Sequence, residues 1–496
     1  MSADDDLADR SLRVVVAGAS GFVGRAYAAH ARACDTVIGL SRRPPAGETP
    51  GGPQQWRAAD LFSLLDCERA LEGADVAVYL VHSMLPSARL TQGHFADLDL
   101  IMADNFARAA AKAGVRRIVY LGGLLPRGGD EAPEILSEHL RSRLEVEQVL
   151  AAHGVPLVGL RAGIVVGARG SSFEILRALT RRLPLMALPS WTRTRTQPIA
   201  LDDVVHLLHH GVHAGGVEGV HDVGGPDVLT YEEMLLDVAE MQGFHTRTIK
   251  VPLLTPGLSK AWVSMVSGQS RALVHPLVES LRHEMVARNR SFQLATGIQG
   301  RPWKEAAKLA LTNELTAPSA FGSDPTRRIE PSVRSVQRLP RPPAMDAPQL
   351  ADDYARWLPR RMWPLLVVDT EGDEVRFRAR MLREPLLVLE LSRGRSSPDR
   401  ALFYVTGGLL AQEGEPLGRF EFRLSPDGKS VLTAIHGFRP RLPWHLYRYS
   451  QAIAHLWVMH SFGRHLDRKA LRQTAAPAAL PSAPSTEPLG KHEGTP

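Results

Sequence analysis

The sequence contains very little cysteine: 496 residues include only Cys34 and Cys67. The two thiols lack the spacing of a metal site and cannot build a disulfide framework. Such scarcity is typical of a protein that works in a reducing compartment. Long apolar runs are also missing, since no stretch reaches the roughly 18 uninterrupted apolar residues of a membrane-spanning helix. We therefore expect a cytoplasmic protein without a transmembrane segment.

Two further features are absent. No dense run of Lys and Arg is interleaved with aromatic residues, and the formal net charge of +6 arises from 59 basic and 53 acidic residues spread along the chain. Nucleic acid is therefore not an expected partner. The acidic start, Met1–Asp6, lacks the apolar core of a signal peptide. The length predicts two or three domains.

The first 160 residues alternate between strand and helix patterns. Leu12–Ala17 is an apolar run typical of a parallel strand that is buried on both faces. A glycine-rich turn, a helix over 21–33 and a strand over 36–40 follow it. Further strands (76–81, 117–121 and 157–160) alternate with helices (95–113 and 136–152). This order predicts an α/β Rossmann-type parallel sheet with helices on both faces, extended by a substrate-side lobe to residue 315.

The remainder of the chain predicts a different organisation. Residues 316–350 are rich in proline and are predicted to form a linker. Residues 351–470 combine strand patterns, a hairpin turn at 425–428 and a helix over 444–466. They predict an α+β domain with an antiparallel sheet and a long helix, similar in architecture to START domains. Disordered tails are predicted over 1–11 and 471–496.

The strongest local signal is the glycine-rich turn after the first predicted strand. Gly18 permits a tight exit from the strand, Gly21 lets the backbone approach a pyrophosphate, and Gly24 lets helix and strand pack closely. Amides at the helix start then point at the phosphates. The sequence therefore predicts a dinucleotide site formed by Gly18, Ser20, Gly21, Phe22, Val23 and Gly24.

The end of the second predicted strand bears on the choice of cofactor. An acidic residue at this place accepts from the ribose 2′-hydroxyl of NAD, whereas arginine binds the 2′-phosphate of NADP. Arg42 and Arg43 stand here, with no acid nearby. We expect NADP, with NAD as the alternative, because the pair is also compatible with two solvated loop arginines.

Several motifs together resemble the atypical extended short-chain dehydrogenase/reductases, above all the NmrA-like proteins and relatives of the complex I 39-kDa subunit. They are GASGFVG, LSRRP, YLVHSM, RAGIVVG, TQPIALDDV and HDVGGPDVLTYEEM, and the resemblance covers about residues 12–290. It implies that Asp60 and Leu61 lie by the adenine. It also implies that Leu80, Val81 and His82 lie by the nicotinamide ribose, with Ala162 and Ile164 near the nicotinamide.

The chain departs from this family at the proton-transfer residues. Family enzymes use a Tyr-x-x-x-Lys pair in which the lysine lowers the pKa of the phenol. His139 and Arg143 occupy the matching positions here, and Gly122 follows Leu121 where a serine is usual. His139 is a possible proton donor because imidazole titrates near neutrality, and Arg143 is a possible ligand of the ribose hydroxyls. The alternative is that His139 is simply a helix residue beside the cofactor.

One predicted helix carries a row of four histidines whose spacing could hold a metal: His206, His209, His210 and His213. We expect an ordinary half-exposed helix face instead, and no metal site is predicted.

The leading hypothesis is an NADP-dependent oxidoreductase acting on a small organic substrate. The alternative is a non-catalytic NAD(P)-binding sensor or assembly factor with a hydrophobic-ligand-binding C-terminal domain. The sequence leaves the substrate and the oligomeric state open.

Overall fold

The computed structural model describes residues 7, 10–45, 47, 51–82, 88–182, 185–244, 247–250, 264, 271–313, 330–412, 414 and 417–475. The chain divides into two compact units, Met1–Gln337 and Arg338–Pro496. The division falls inside the predicted linker. Among the described residues, no helix has both the length and the apolar character needed to cross a membrane.

The first unit alternates strands and helices along most of its length. Its strands are β1 (Arg13–Ala17), β2 (Thr36–Ser41), β3 (Gln55–Ala58), β4 (Val76–Tyr79), β5 (Ala88–Gln92), β6 (Arg117–Gly123), β7 (Leu157–Ala162), β8 (Val165–Val166), β9 (Leu185–Leu188), β10 (Arg195–Thr196), β11 (Ile199–Ala200), β12 (Gly219–Val223), β13 (Leu229–Thr230), β14 (Arg247–Lys250) and β15 (Glu330–Pro340), the last of which ends beyond the division. Its helices are α1 (Phe22–Ala29), α2 (Leu64–Leu71), α3 (Phe95–Lys112), α4 (Glu138–Ala151), α5 (Ser171–Arg182), α6 (Leu201–His213), α7 (Tyr231–Met241), α8 (Arg271–Ser280), α9 (Ser291–Ala295) and α10 (Trp303–Thr312).

A seven-stranded parallel sheet forms the centre of this unit, in the order β12-β7-β6-β4-β1-β2-β3. The strand order reverses direction between β1 and β4, which is where ligands bind in sheets of this kind. Val14, Val15 and Val16 are fully buried, as expected for a strand covered by helices on both faces. The predicted Rossmann-type fold is confirmed.

Beyond β8 the strands of this unit are short and pair outside the main sheet. β8 pairs with β11, β10 with β13, and β9 with β14. α7 begins at Tyr231 because a capping box between Thr230 and Glu233 fixes its start.

The predicted linker contains regular structure that its composition did not suggest. β15 pairs in parallel with β5 through Glu330–Ser335. Its prolines stand at its second and last residues, where a missing N–H interrupts least of the strand. Between them, Val333 and Val336 are buried.

The second unit is an antiparallel sheet with helices before and after it. Its elements are α11 (Ala347–Arg361), β16 (Leu366–Glu371), β17 (Glu374–Ala379), β18 (Pro385–Leu391), β19 (Arg400–Gly407), β20 (Gly418–Leu424), β21 (Ser430–Phe438), α12 (Trp444–Tyr449) and α13 (Gln451–Ala475). Strands β16 to β21 pair consecutively. The predicted antiparallel sheet with a long helix is confirmed, whereas the START-like comparison stays a prediction.

Aromatic packing joins the helices of the second unit to its sheet. The Tyr354 ring of α11 lies within 6.4 Å, centroid to centroid, of Phe377 on β17, and it lies closer still to Phe420 and Phe422 on β20 and to Phe462 on α13. The helix predicted over 444–466 is two helices that meet at Ser450. The second helix continues to Ala475, into the predicted C-terminal tail, whose remainder lies outside the described residues. Leu7, in the predicted N-terminal tail, is buried.

Candidate dinucleotide site

The glycine-rich turn has the backbone geometry that its sequence predicts. Gly18 has a φ of +89°, a conformation that side chains with a Cβ adopt only with strain. A Cβ at Gly18 would lie 2.8 Å from the Leu80 carbonyl oxygen at the end of β4. A Cβ at Gly24 would lie 2.3 Å from the Gly18 carbonyl oxygen. These two glycines therefore hold α1 close to the strand ends.

The N-terminus of α1 suits an anionic group. Gly21 is its N-cap residue and has no side chain to accept from the first amides, and no acidic residue lies in the first turn. The amides of Phe22 and Val23 belong to this uncapped turn, where the helix dipole favours negative charge. The exposed Ser20 lies just before them. The residues present therefore fit the pyrophosphate of a dinucleotide.

The residues that would distinguish NADP from NAD lie at the end of β2. Arg42 and Arg43 are both exposed there. The Ser41 hydroxyl donates to the Arg43 carbonyl at 2.9 Å and accepts from the Arg43 amide at 3.1 Å, which gives this corner a defined turn. Two exposed guanidinium groups at this corner fit a 2′-phosphate.

Asp60, which the resemblance places by the adenine, has a partner far away along the chain. Arg334 of β15 donates to the Asp60 carboxylate at 2.8 Å, and its guanidinium lies 3.9 Å from the centroid of the Phe62 ring. Leu61, which lies between Asp60 and Phe62 in the sequence, is buried. Its carbonyl oxygen accepts from the Asn105 side-chain amide at 2.9 Å. Because Arg334 follows Asp60 by 274 residues, no local pattern could have indicated the pair.

We expect Arg334→Ala to lower the free energy of unfolding by about 1–3 kcal/mol, because it removes a charged hydrogen bond and leaves the Asp60 carboxylate unpaired in a partly buried place. Urea unfolding of the full chain measures the change. Arg127, an exposed arginine of the same unit, supplies the control Arg127→Ala, for which we expect little change. Equal stability of both variants would contradict the assigned role of Arg334.

The side chains predicted to contact the nicotinamide ribose converge on a buried carboxylate. Asp99 of α3 is 1 % exposed and accepts from His82 Nδ1 at 3.0 Å. The Arg143 guanidinium of α4 forms an ion pair with the same carboxylate oxygen. It also lies 3.5 Å from the Val81 carbonyl oxygen. Arg143 thus stands at the predicted position, but its charge is directed at Asp99.

His139 lies beside this group and differs from the expected proton donor. Its ring centroid is 5.1 Å from that of His82. Its Nδ1 atom is buried and has no hydrogen-bond partner among the described residues. Burial lowers the pKa of His139 well below its ordinary value, and the nearby His82 and Arg143 charges lower it further. His139 is therefore neutral near pH 7.

His82, unlike His139, is hydrogen-bonded to a carboxylate, although the pKa values of both histidines are lowered. Burial and the charge of Arg143 lower the pKa of His82, while Asp99 opposes them. Since a carboxylate only accepts, the neutral ring carries its hydrogen on Nδ1 and leaves Nε2 as an acceptor. The side chain is 27 % exposed. An imidazole oriented by a carboxylate is an arrangement suited to proton transfer.

The segment predicted to lie near the nicotinamide follows β7. Ala162 is buried, and its carbonyl accepts from the Leu124 amide at 3.0 Å. The Ile164 carbonyl accepts from the Ile199 amide at 2.9 Å, which ties β8 to β11. A Cβ at Gly163, between them, would lie 2.7 Å from the Gln197 carbonyl oxygen. The segment is thus fixed on both sides.

The helical histidine row packs against the protein interior. The His209 ring stacks on Tyr27 with centroids 4.1 Å apart, and His213 Nε2 lies 2.8 Å from the Asp35 carboxylate. His210 packs edge-on against Phe292. Within the described residues, no group of three or more His, Cys, Asp or Glu side chains is placed to hold a metal ion. His206 is exposed, His209 and His210 are half-buried and His213 is buried, so the row forms the half-exposed face that the sequence predicts.

The half-buried His209 predicts a loss of stability in acid. Burial lowers its pKa to about 4, while the Tyr27 carbonyl, 3.1 Å from Nε2, opposes the shift. Because the unfolded chain titrates at about 6.5, it binds more protons below that pH, so the stabilising contribution is complete above pH 6.5 and is lost as the pH falls towards 4. We expect wild type to lose about 2 kcal/mol more than His209→Gln over this interval.

The measurement is urea unfolding of both proteins at about pH 7.5 and about pH 4.5. Glutamine retains an amide that can donate to the Tyr27 carbonyl, so the comparison isolates the titration. An equal loss of stability in the two proteins would contradict the prediction.

Fold and site together define a dinucleotide-binding Rossmann domain. Comparison with known families agrees, because residues 18–181 match the family described as NAD(P)H-binding. This stretch is about a third of the chain. The predicted NAD(P)-binding domain, followed by a separate C-terminal unit, is thereby confirmed.

Individual proteins resemble the chain over part of its length. It is 31 % identical over 111 residues to the auxiliary protein GraX of Staphylococcus aureus (strain NCTC 8325 / PS 47), a match that spans 22 % of this chain and 36 % of that relative. Triphenylmethane reductase of Citrobacter sp., solved with NADP(H), is 18 % identical and covers 60 % of this chain and 99 % of its own, with a TM-score of 0.46. UDP-glucose 4-epimerase of Thermus thermophilus, solved with NAD, is also 18 % identical and covers 63 % of this chain and 100 % of its own, with a TM-score of 0.43.

Proposed function

We propose that this chain is an NADP-dependent oxidoreductase acting on a small organic substrate. The observation that carries the proposal is His82, whose Nδ1 is bound by the buried Asp99 carboxylate and whose Nε2 is left to exchange a proton. It lies three residues after the end of β4, at the edge of the sheet where the Gly18 turn also lies. A bound nicotinamide would supply or accept the hydride there.

The preference for NADP rests on charge at the end of β2. Arg42 and Arg43 place two guanidinium groups where the adenosine ribose is expected, and no acidic residue of β2 stands beside them. An acidic side chain there would repel a 2′-phosphate, whereas arginine binds phosphate with paired hydrogen bonds.

His82, rather than His139, is the proposed proton-transfer residue. In the neutral form, Nε2 of His82 accepts the proton of a substrate hydroxyl. The hydride leaves the carbon that carries this hydroxyl. In the reverse direction the imidazolium returns that proton to the carbonyl oxygen. Asp99 stabilises the imidazolium, whereas His139 has no acidic partner among the described residues. Arg143 neutralises Asp99 and thereby positions His82 indirectly.

The test follows NADPH absorbance against a panel of quinones, aldehydes and ketones. We expect turnover with at least one of them and a loss of about 100-fold or more in His82→Gln, with NADPH binding retained. His139→Gln is the matched control and should lose much less. If His82→Gln turns over as wild type does and His139→Gln does not, the assignment of the two histidines is wrong.

A non-catalytic NAD(P)-binding sensor or assembly factor is the second candidate. Two observations favour it: Arg143, at the position of the family lysine, is ion-paired with Asp99, and position 139 is a histidine rather than a tyrosine. Saturable NADPH binding without oxidation across the whole panel would favour this candidate over the enzyme.

A further inference from the structure

We propose that a cleft beside α1, separate from the dinucleotide site, binds a small organic anion that carries an apolar portion. The cleft has a volume of about 360 Å³ and lies between α1, the turn after β8, the start of α6, and α10. This is at the lower end of the volumes of small-molecule pockets. Of the residues in these walls, only Phe22 also belongs to the dinucleotide site described above.

The charged residues of the cleft are mostly basic. Arg25, Arg169 and Arg301 line it together with one carboxylate, Asp202. The Arg301 guanidinium lies 3.4 Å from Asp202 and 3.4 Å from Glu305, so part of its charge is balanced. Arg25 forms no salt bridge within the described part of the chain. The lining therefore contains three cationic side chains and one anionic side chain, which favours an anionic ligand over a cationic one.

The backbone at Arg169 is a second, independent observation. Its φ is +68°, the one left-handed residue other than glycine within the described residues. The turn is closed by the Gly170 amide, which donates to the Gly167 carbonyl at 3.1 Å. Glycine is the unstrained choice at such a position. Strain of this kind concentrates at functional sites, and here it sets an arginine into the wall of the cleft.

Apolar groups form the rest of the wall. A Cβ at Gly167 or at Gly170 would lie 2.9 Å from the Phe22 ring, so the turn packs directly on that ring. Leu309 of α10 is 38 % exposed at the cleft and Ala310 lies beside it. A ligand that fits has one anionic group for the arginines and an apolar body for Phe22 and Leu309. Organic phosphates and organic carboxylates share this chemistry.

The cleft runs along the side of α1 from Phe22 to Ala29. The pyrophosphate of a dinucleotide is expected at the N-terminal end of the same helix, beyond its first amides. The two ligands therefore contact different parts of α1, with Phe22 common to both sites, and we expect them to bind without competition.

The experiment is calorimetric titration of the full chain with phenyl phosphate, benzoate and inorganic phosphate. We expect saturable binding of phenyl phosphate or benzoate at millimolar concentration or below, and weaker binding of inorganic phosphate. The tighter of the two aromatic ligands identifies the anionic group. Arg169→Gly should weaken that ligand tenfold or more while its Tm stays equal to or above wild type, because glycine relieves the strained φ. Arg25→Ala should also weaken binding, and Arg127→Ala should leave it unchanged.

Four results would overturn the proposal. The first three are the absence of saturable binding of either aromatic ligand, unchanged affinity in both Arg169→Gly and Arg25→Ala, and displacement of the aromatic ligand by saturating NADPH. Displacement by NADPH would assign the anion to the dinucleotide site. The fourth is binding of inorganic phosphate as tight as that of phenyl phosphate, because it would show that the apolar portion of the ligand adds nothing to binding. Failure to bind NADPH would count against the proposed function only, because the titrations need no cofactor.

Discussion

Replacing Gly18 by alanine is expected to abolish NADPH binding and to lower the free energy of unfolding by about 2–4 kcal/mol. Two separate costs add. The φ of +89° is unfavourable for any residue with a Cβ, and the new Cβ would lie 2.8 Å from the Leu80 carbonyl oxygen. Since that oxygen belongs to the backbone after β4, only a movement of the turn away from β4 relieves the contact. The amides of α1 move with the turn.

Gly128→Ala is the matched control. Gly128 has a φ of +74°, and its Cβ would meet nothing within 4 Å. The control therefore retains the conformational cost, about 1 kcal/mol, without the collision. Urea unfolding and NADPH titration of both variants separate the two effects. If Gly128→Ala weakens NADPH binding as much as Gly18→Ala does, the close approach of Gly18 to Leu80 is not what forms the site.

Removing the charge of Asp99 is expected to be the other large effect. Asp99→Asn should lower the free energy of unfolding by about 3–5 kcal/mol, because it leaves the buried Arg143 guanidinium without a counter-charge. The pKa of His82 should fall further, since Asp99 is the group that raises it. Turnover that depends on His82 should fall with it.

A double-mutant cycle with Arg143→Met tests this coupling. Arg143 is 7 % exposed, so its removal in the Asp99→Asn background also removes the unpaired charge. The double variant should therefore be more stable than the sum of the two single losses predicts. Strict additivity would show that Asp99 and Arg143 do not interact as the structure places them.

Much of the first unit could be predicted because its signals are local. Hydrophobic runs predict five of the seven strands of the main sheet, β1, β2, β4, β6 and β7. The spacing of Gly18, Gly21 and Gly24 predicts the turn with its backbone conformation. Both depend on residues within a few positions of each other. The end of α3 is predicted within one residue, because Gly114, with a φ of +71°, stops the helix.

The rest of the site depends on contacts between residues distant in sequence. Asp99 lies in the middle of an ordinary helical pattern, and nothing in that pattern indicates that it binds both His82 and Arg143. In the second unit, Glu421 and Arg423 alternate with apolar residues on β20 as on a solvent-facing strand, yet both are 1 % exposed. Buried charge is stabilised by partners from other elements, and a single sequence does not name them.

Binding of NADP at the Gly18 turn is tested by titration of the full chain with NADPH and with NADH, followed by the same titrations of an Arg42→Ala/Arg43→Ala variant. We expect saturable binding of NADPH that is at least about tenfold tighter than that of NADH. The variant should lose this preference and keep its affinity for NADH, because the Gly18 turn is intact. Absence of binding of both dinucleotides by the wild-type chain, or tighter binding of NADH, would contradict the assignment.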